Sequence, residues 1–276
     1  MIKIVNTFFC LIKKHPFVPI LIGTTLSFIY LAKTLPIQFE ENDDVTMLLV
    51  SSGAYSGRPD MHIEYINSLM GGLICILYKL NQTIEWYSIL FSLIHIVSLT
   101  IIFKSIIVNK EINILMKVMF VIIILLFERY FITNFQFTTV ALLLGVSGII
   151  LFLKNERIHK IVIGVLLLVI SSLVRFDSAL LIILILSPLI IINLSVSKKK
   201  ILICIIAFLI IILFKITDNA LYQKTNWQQY RVLWGLNSSI MDNPKADKIV
   251  IDKMYYINPN DFILYQYGLI DHNILN

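Results

Sequence analysis

MHIEYINSLMGGLICILYKL, Met61–Leu80, is long and apolar enough to span a bilayer, and its reading sets the direction of every segment that follows it. Wound as a helix it sorts into two faces. Glu64, Asn67, Ser68, Gly71, Gly72, Cys75 and Lys79 fall on one, and Ile63, Ile66, Leu69, Met70, Leu73, Ile76, Leu77 and Leu80 fall on the other. A two-faced helix of this kind lies in the membrane interface with its apolar side in the lipid boundary. The pattern predicts an interfacial amphipathic helix.

The chain around it is built for a membrane. Of its 276 residues 58% are hydrophobic and 14% charged, against about 45–50% and about 25% in soluble domains. The fold class this predicts is an all-α integral membrane protein with about seven transmembrane helices, since a hydrocarbon core of ~30 Å needs about 20 helical residues per crossing. The apolar runs are Phe17–Ala32, Trp86–Ile107, Ile112–Phe127, Phe137–Leu153, Ile161–Val174, Ser178–Leu194 and Ile201–Ile216. They do not alternate, which excludes barrel strands. The net charge of +6 is carried in short clusters between the runs. It therefore reads as topology, and no nucleic-acid partner is expected.

That charge pattern tests the interfacial assignment independently. If Met61–Leu80 does not cross, then Lys3, Lys13 and Lys14, Lys104, Lys110 and Lys117, Lys154, Arg157 and Lys160, and Lys198, Lys199 and Lys200 all face the cytoplasm, joined there by Glu111 and Glu156. If it crossed, every cluster from Lys104 onward would face outward, against the bias that sets orientation. The expected localisation is thus a cytoplasmic membrane, multi-pass, with the N-terminus cytoplasmic. The expected organisation is a multi-span domain over 1–217, its first external loop at 36–85, and an extracytoplasmic polar tail over 218–276. No small-residue cleavage site follows the first apolar run, so that run reads as an uncleaved anchor. Cys10, Cys75 and Cys204 stand far apart in apolar surroundings, which predicts packing thiols rather than a disulfide framework. The preference for Ile and Lys over Val and Arg suggests an AT-rich bacterial genome.

The outward loops hold the residues able to carry chemistry. FEENDDVTMLLVSSGAYSGRPDMH, Phe39–His62, places Asp43 and Asp44 just beyond the first span, Arg58 and Asp60 just before the interfacial helix, and His62 at the start of that helix. A carboxylate beside an apolar helix at the membrane surface is placed to act as a general base, and the plainer alternative is a solvated acidic loop that helps set topology. Arg175 interrupts the apolar stretch from Ile161 to Leu194, and its planar guanidinium suits a phosphate. The alternative is an arginine that snorkels at a tight turn and pairs with Asp177. Arg129 stands in another outward turn. Asp43 and Asp44 also form a pair able to hold Mg²⁺ or Mn²⁺ through oxygen ligands. The five histidines show no zinc-type spacing.

This combination resembles the GT-C class of membrane glycosyltransferases, which take sugars from polyprenyl-phosphate donors in the manner of the dolichyl-phosphate-mannose transferases. The resemblance covers residues 1–217 in layout and 40–90 in motif. An acidic pair follows the first span, Gly57, Arg58, Pro59 and Asp60 precede the interfacial helix, Leu77, Tyr78, Lys79 and Leu80 close it, and Glu85, Trp86 and Tyr87 open the next span. The resemblance implies inverting sugar transfer to a cell-surface glycan or lipid acceptor. Asp43 or Asp44 would be the base and Arg175 would meet the lipid phosphate, with Arg58, Arg129 and His62 as further candidates for that pocket. Some members of the class use a divalent ion and others do not. Members usually carry more spans and a longer outer domain, so the expectation includes a short or truncated, inactive form. A polysaccharide polymerase and a lipid-linked sugar transporter or flippase are the other readings, although the charged residues near span ends argue against transport.

Overall fold

The computed structural model describes residues 16–39, 42–55, 57–154, 157–194 and 198–232. Among them are nine α-helices: α1 Phe17–Thr34, α2 Asn42–Ser52, α3 Ser68–Leu80, α4 Trp86–Ile107, α5 Ile114–Thr133, α6 Phe137–Lys154, α7 Ile158–Val174, α8 Phe176–Leu194 and α9 Lys198–Gln223. Two short strands, β1 Gln38–Phe39 and β2 Asn134–Phe135, pair in parallel with Gln38 opposite Asn134 and Phe39 opposite Phe135. The chain divides into a unit ending at Asp218 and a second beginning at Asn219. Within the second, Trp227 meets Tyr230 edge-on at 5.2 Å and the Arg231 guanidinium lies 4.4 Å over Tyr222. The rest of the tail, with Cys10 and the N-terminal lysines, lies outside the described residues.

Each of the seven apolar runs is a helix, as a lipid environment requires of backbone that has no water to bond. Four of them, α1, α4, α6 and α9, are long and apolar enough to cross a membrane. The chain is an all-α membrane protein by that measure. Helix α7 is apolar but shorter, α8 is apolar over the 17 residues Phe176–Ile192, and the 20-residue α5 carries Lys117, Glu128 and Arg129. Helices α6 and α7 form the closest pair. A Cβ on Gly148 would stand 2.6 Å from the Gly164 carbonyl oxygen, and one on Gly164 would stand 2.6 Å from that of Gly148, so only glycine permits this crossing.

Helix α3 differs from the expected interfacial segment at its start. The helix begins at Ser68 rather than Met61, because Tyr65 adopts φ of 61° and the Asn67 side chain caps the first turn by accepting from Leu69 N at 3.0 Å. Ile63 and Ile66, expected on the lipid side, are consequently buried. Its protein-facing side is the one bearing Ser68, Gly71 and Cys75, with Ile74 and Tyr78, while Leu69, Leu73, Ile76 and Leu80 are exposed. A Cβ at Gly71 would lie 2.2 Å from the Met61 carbonyl oxygen, which is why small residues face inward.

Two further differences concern acids. Asp43 and Asp44, expected in a loop, open helix α2, where carboxylates meet the positive end of the helix dipole. Glu128 and Arg129, expected in an outward turn, lie inside α5, which runs on to Thr133.

Candidate functional site

One end of the first unit gathers the expected chemistry. The largest cluster of buried apolar side chains sits there, including Met47, Ile63, Tyr78, Tyr87, Phe91 and Phe137, and joins α2, the 63–66 segment, α3, α4 and α6. The β1–β2 pair ties the chain just before α2 to the chain just before α6.

The N-terminus of α6 is the junction of the site. Asp44 is fully buried, and its Oδ1 accepts from the Tyr87 hydroxyl at 2.8 Å and from Phe137 N at 3.3 Å. A carboxylate on a helix N-terminal N–H is favoured by both the hydrogen bond and the dipole. Asp44 therefore fastens α2 to the first residues of α4 and α6. Asp43, its neighbour, is half-buried.

Arg175 reaches the same helix end from the one-residue break between α7 and α8. Its Nη1 donates to Thr138 Oγ1 at 2.8 Å, and its guanidinium carbon lies 4.9 Å from the Phe137 ring centre and 5.3 Å from that of Tyr65. Tyr65 in turn stacks on Phe137, with centroids 6.2 Å apart and planes at 24°. The left-handed backbone of Tyr65 costs about 1–3 kcal/mol and is held there by its surroundings. Arg175 thus faces Thr138 and two aromatic rings rather than Asp177, which is exposed. Cation–π contact orients the guanidinium while leaving its remaining N–H groups for a ligand.

A second carboxylate stands at the rim. Asp60 Oδ1 accepts from His62 N at 2.9 Å and lies 2.7 Å from His62 Nδ1, with His62 buried and Asp60 half-buried. Asp60 N donates to Val50 O at 3.2 Å, which fixes the pair against the end of α2. Arg58 is exposed beside it, and Arg129 is exposed on α5. The structure thus joins Asp44 and Arg175 through Phe137, holds Asp60 with His62, and includes Arg129 in neither set of contacts.

Below the site, Tyr78 Oη donates to Glu85 Oε1 at 3.1 Å and accepts from Tyr87 N at 3.3 Å. Burial, with the Glu85 charge adding to it, pushes the Tyr78 phenol up to about 12. The start of α3 is held from another side. Ser68 N and Oγ donate to Asp218 Oδ1 at 2.8 and 2.7 Å, Asn67 Nδ2 donates to Phe214 O at 3.1 Å, and Asn67 N donates to Leu173 O at 2.9 Å.

Sequence reasoning missed several partners. Tyr87 stands in the quoted Glu85–Tyr87 motif without a role of its own. Asp218 was legible as an acid directly after an apolar run. Thr138 and Tyr65 gave no signal.

It also missed a pair inside the bundle. His95 Nε2 lies 2.8 Å from Glu128 Oε1 and 3.0 Å from Oε2, both side chains are buried, and His95 Nδ1 has no hydrogen-bond partner among the described residues. His95 is nine residues into α4, about 14 Å from its start along the axis. A histidine in the middle of an apolar run was the available signal. It qualifies the expectation that charges stay near span ends.

Among the described residues no group of three or more His, Cys, Asp or Glu side chains is placed to hold a metal ion. Asp43 and Asp44 are two such side chains, so a divalent ion there would take its remaining ligands from substrate oxygens and water. Compared with known proteins, the chain matches no family model, no curated protein and no solved structure.

Proposed function

We propose that the chain is a membrane glycosyltransferase that moves a sugar from a polyprenyl-phosphate donor to a glycan or lipid acceptor at the end of the bundle bearing Asp43 and Arg175. The observation that carries this reading is the convergence at the α6 N-terminus of a carboxylate helix start and a stacked guanidinium. Helices α1 and α4 to α9 are the seven crossings and α3 lies in the interface. The lysine clusters then put the site on the outer face of a cytoplasmic membrane.

Asp43 takes the proton of the acceptor hydroxyl as its oxygen attacks the anomeric carbon. The bond from that carbon to the donor phosphate breaks, and the polyprenyl phosphate leaves with its charge met by Arg175. Attack from the face opposite the leaving group inverts the anomeric centre. Asp44 positions Asp43 through its bonds to Tyr87 and Phe137, and Asp60 with His62 shapes the rim. The exposed leucines of α3 face the polyprenyl chain. Purified protein incubated with a polyprenyl-phosphate sugar tests the reaction: release of polyprenyl phosphate that depends on Asp43 supports it, and release equal in Asp43→Asn contradicts it.

A second reading is favoured by one observation. The buried His95–Glu128 pair is the kind of intramembrane ionisable group that proton-coupled transporters use. Transport of a lipid-linked sugar would then fail in Glu128→Gln while surviving Asp43→Asn, the reverse of what sugar transfer requires.

A further inference from the structure

At the opposite end of the same unit, a cavity of about 810 Å³ opens between the start of α1, the ends of α4 and α6, and the first half of α7. Its two parts differ in chemistry. The inner wall is apolar, formed by Val97, Ile101, Ile150, Ile163 and Leu167. The mouth carries Lys104, Lys110, Lys154, Lys160 and His159, with Glu111 the carboxylate among its lining residues.

Two of those lysines are more than topology signals. Lys104 and Lys160 are half-buried at the same cavity, so neither ammonium is fully hydrated and each repels the other. Lys104 Nζ lies 5.3 Å over the Phe17 ring at the cavity edge, while Lys154 Nζ donates to Ser105 O at 3.0 Å, drawing the chains toward the mouth. An anion between the ammonium groups would relieve that repulsion. A small soluble anion would leave the apolar wall unused, whereas a lipid fills both parts.

We propose that this cavity is a binding site for an anionic phospholipid of the surrounding leaflet, its phosphate among Lys104, Lys110, Lys154 and Lys160 and one acyl chain along the wall of Val97, Ile101, Ile150, Ile163 and Leu167. The volume is within the range of ~300–1,000 Å³ typical of ligand sites, and basic pockets between membrane helices take anionic headgroups. The proposal rests on membrane insertion alone and is independent of the sugar-transfer reading.

Native mass spectrometry of the full chain released from nanodiscs containing phosphatidylglycerol and phosphatidylcholine tests it. The wild type should retain one phosphatidylglycerol in preference to phosphatidylcholine. At roughly fivefold in affinity per lysine, Lys104→Gln with Lys160→Gln should weaken that retention roughly 30-fold. Ile163→Trp, which fills the apolar wall and keeps every lysine, should weaken it as well. Lys198→Gln with Lys199→Gln, exposed residues outside the cavity lining, should change nothing. Equal retention of the two lipids, retention unchanged in the Lys104 and Lys160 variant, or an equal loss from the Lys198 and Lys199 variant would each overturn the proposal. Displacement of the lipid by inorganic phosphate at matched concentration would overturn the role of the wall. Circular dichroism and a single gel-filtration peak establish that each variant is folded.

Discussion

The Tyr87 hydroxyl donates to Asp44 Oδ1 at 2.8 Å inside a fully buried environment, and the same oxygen accepts the first N–H of α6. Three helices that begin far apart in the chain are therefore fixed at one carboxylate, and Asp43 is held one residue away. Removing the phenol deprives a buried carboxyl oxygen of a donor, which costs about 1–3 kcal/mol. Tyr87→Phe should lower the melting temperature in detergent and reduce activity with the fold retained. Unchanged stability would mean that the bond contributes nothing.

Arg175 is stacked on two rings and bonded to Thr138, a geometry that a lysine ammonium does not reproduce. Arg175→Gln should reduce kcat/KM for a polyprenyl-phosphate donor by about 30-fold or more, and Arg175→Lys should recover only part of that. Full activity in Arg175→Lys would reduce the residue to a point charge.

The His95–Glu128 pair is buried on both sides. Deleting one member leaves the other without its buried hydrogen-bond partner, so His95→Leu or Glu128→Leu should each destabilise by about 1–3 kcal/mol, whereas the double leucine variant should recover most of it. Thermal unfolding of the three variants reads this directly. Additive losses in the double variant would show that the two side chains act separately.

Tyr78 is held protonated by burial and by Glu85, with its phenol at about 12 against an ordinary value of 10.0. Since the folded value lies above the unfolded one, this group's contribution to stability is fully present below about pH 10 and is lost as pH rises toward about 12. Phenolate absorbance during alkaline titration should show a late-ionising tyrosine that is missing in Tyr78→Phe. A titration curve identical in the two proteins would contradict the assignment.

Much of the architecture was legible because lipid imposes one simple rule. Apolar runs must be helices, and seven runs gave seven helices. Asp44 and Arg175 were legible as candidates because they flank or interrupt apolar runs, and both meet Phe137. What composition hides is pairing across sequence distance. Helix α2 was obscured because Asp43, Asp44 and two serines make Asn42–Ser52 look like loop, yet the acids suit a helix start. The α5 boundary was misplaced because the polar residues from Glu128 onward look like a turn, whereas the helix runs on to Thr133 and the His95 imidazole 33 positions earlier meets the buried Glu128 carboxyl. Ile63 and Ile66 fit a helical face but serve a packed turn, set by the backbone of Tyr65 that no periodicity reports.

The most direct test of sugar transfer is mass spectrometry of surface glycans and lipid-linked intermediates from cells with the gene, without it, and with Asp43→Asn at normal protein level. The account predicts that deletion and Asp43→Asn remove the same sugar, with the unused polyprenyl-phosphate sugar accumulating in both. A sugar lost on deletion but retained in Asp43→Asn would contradict it.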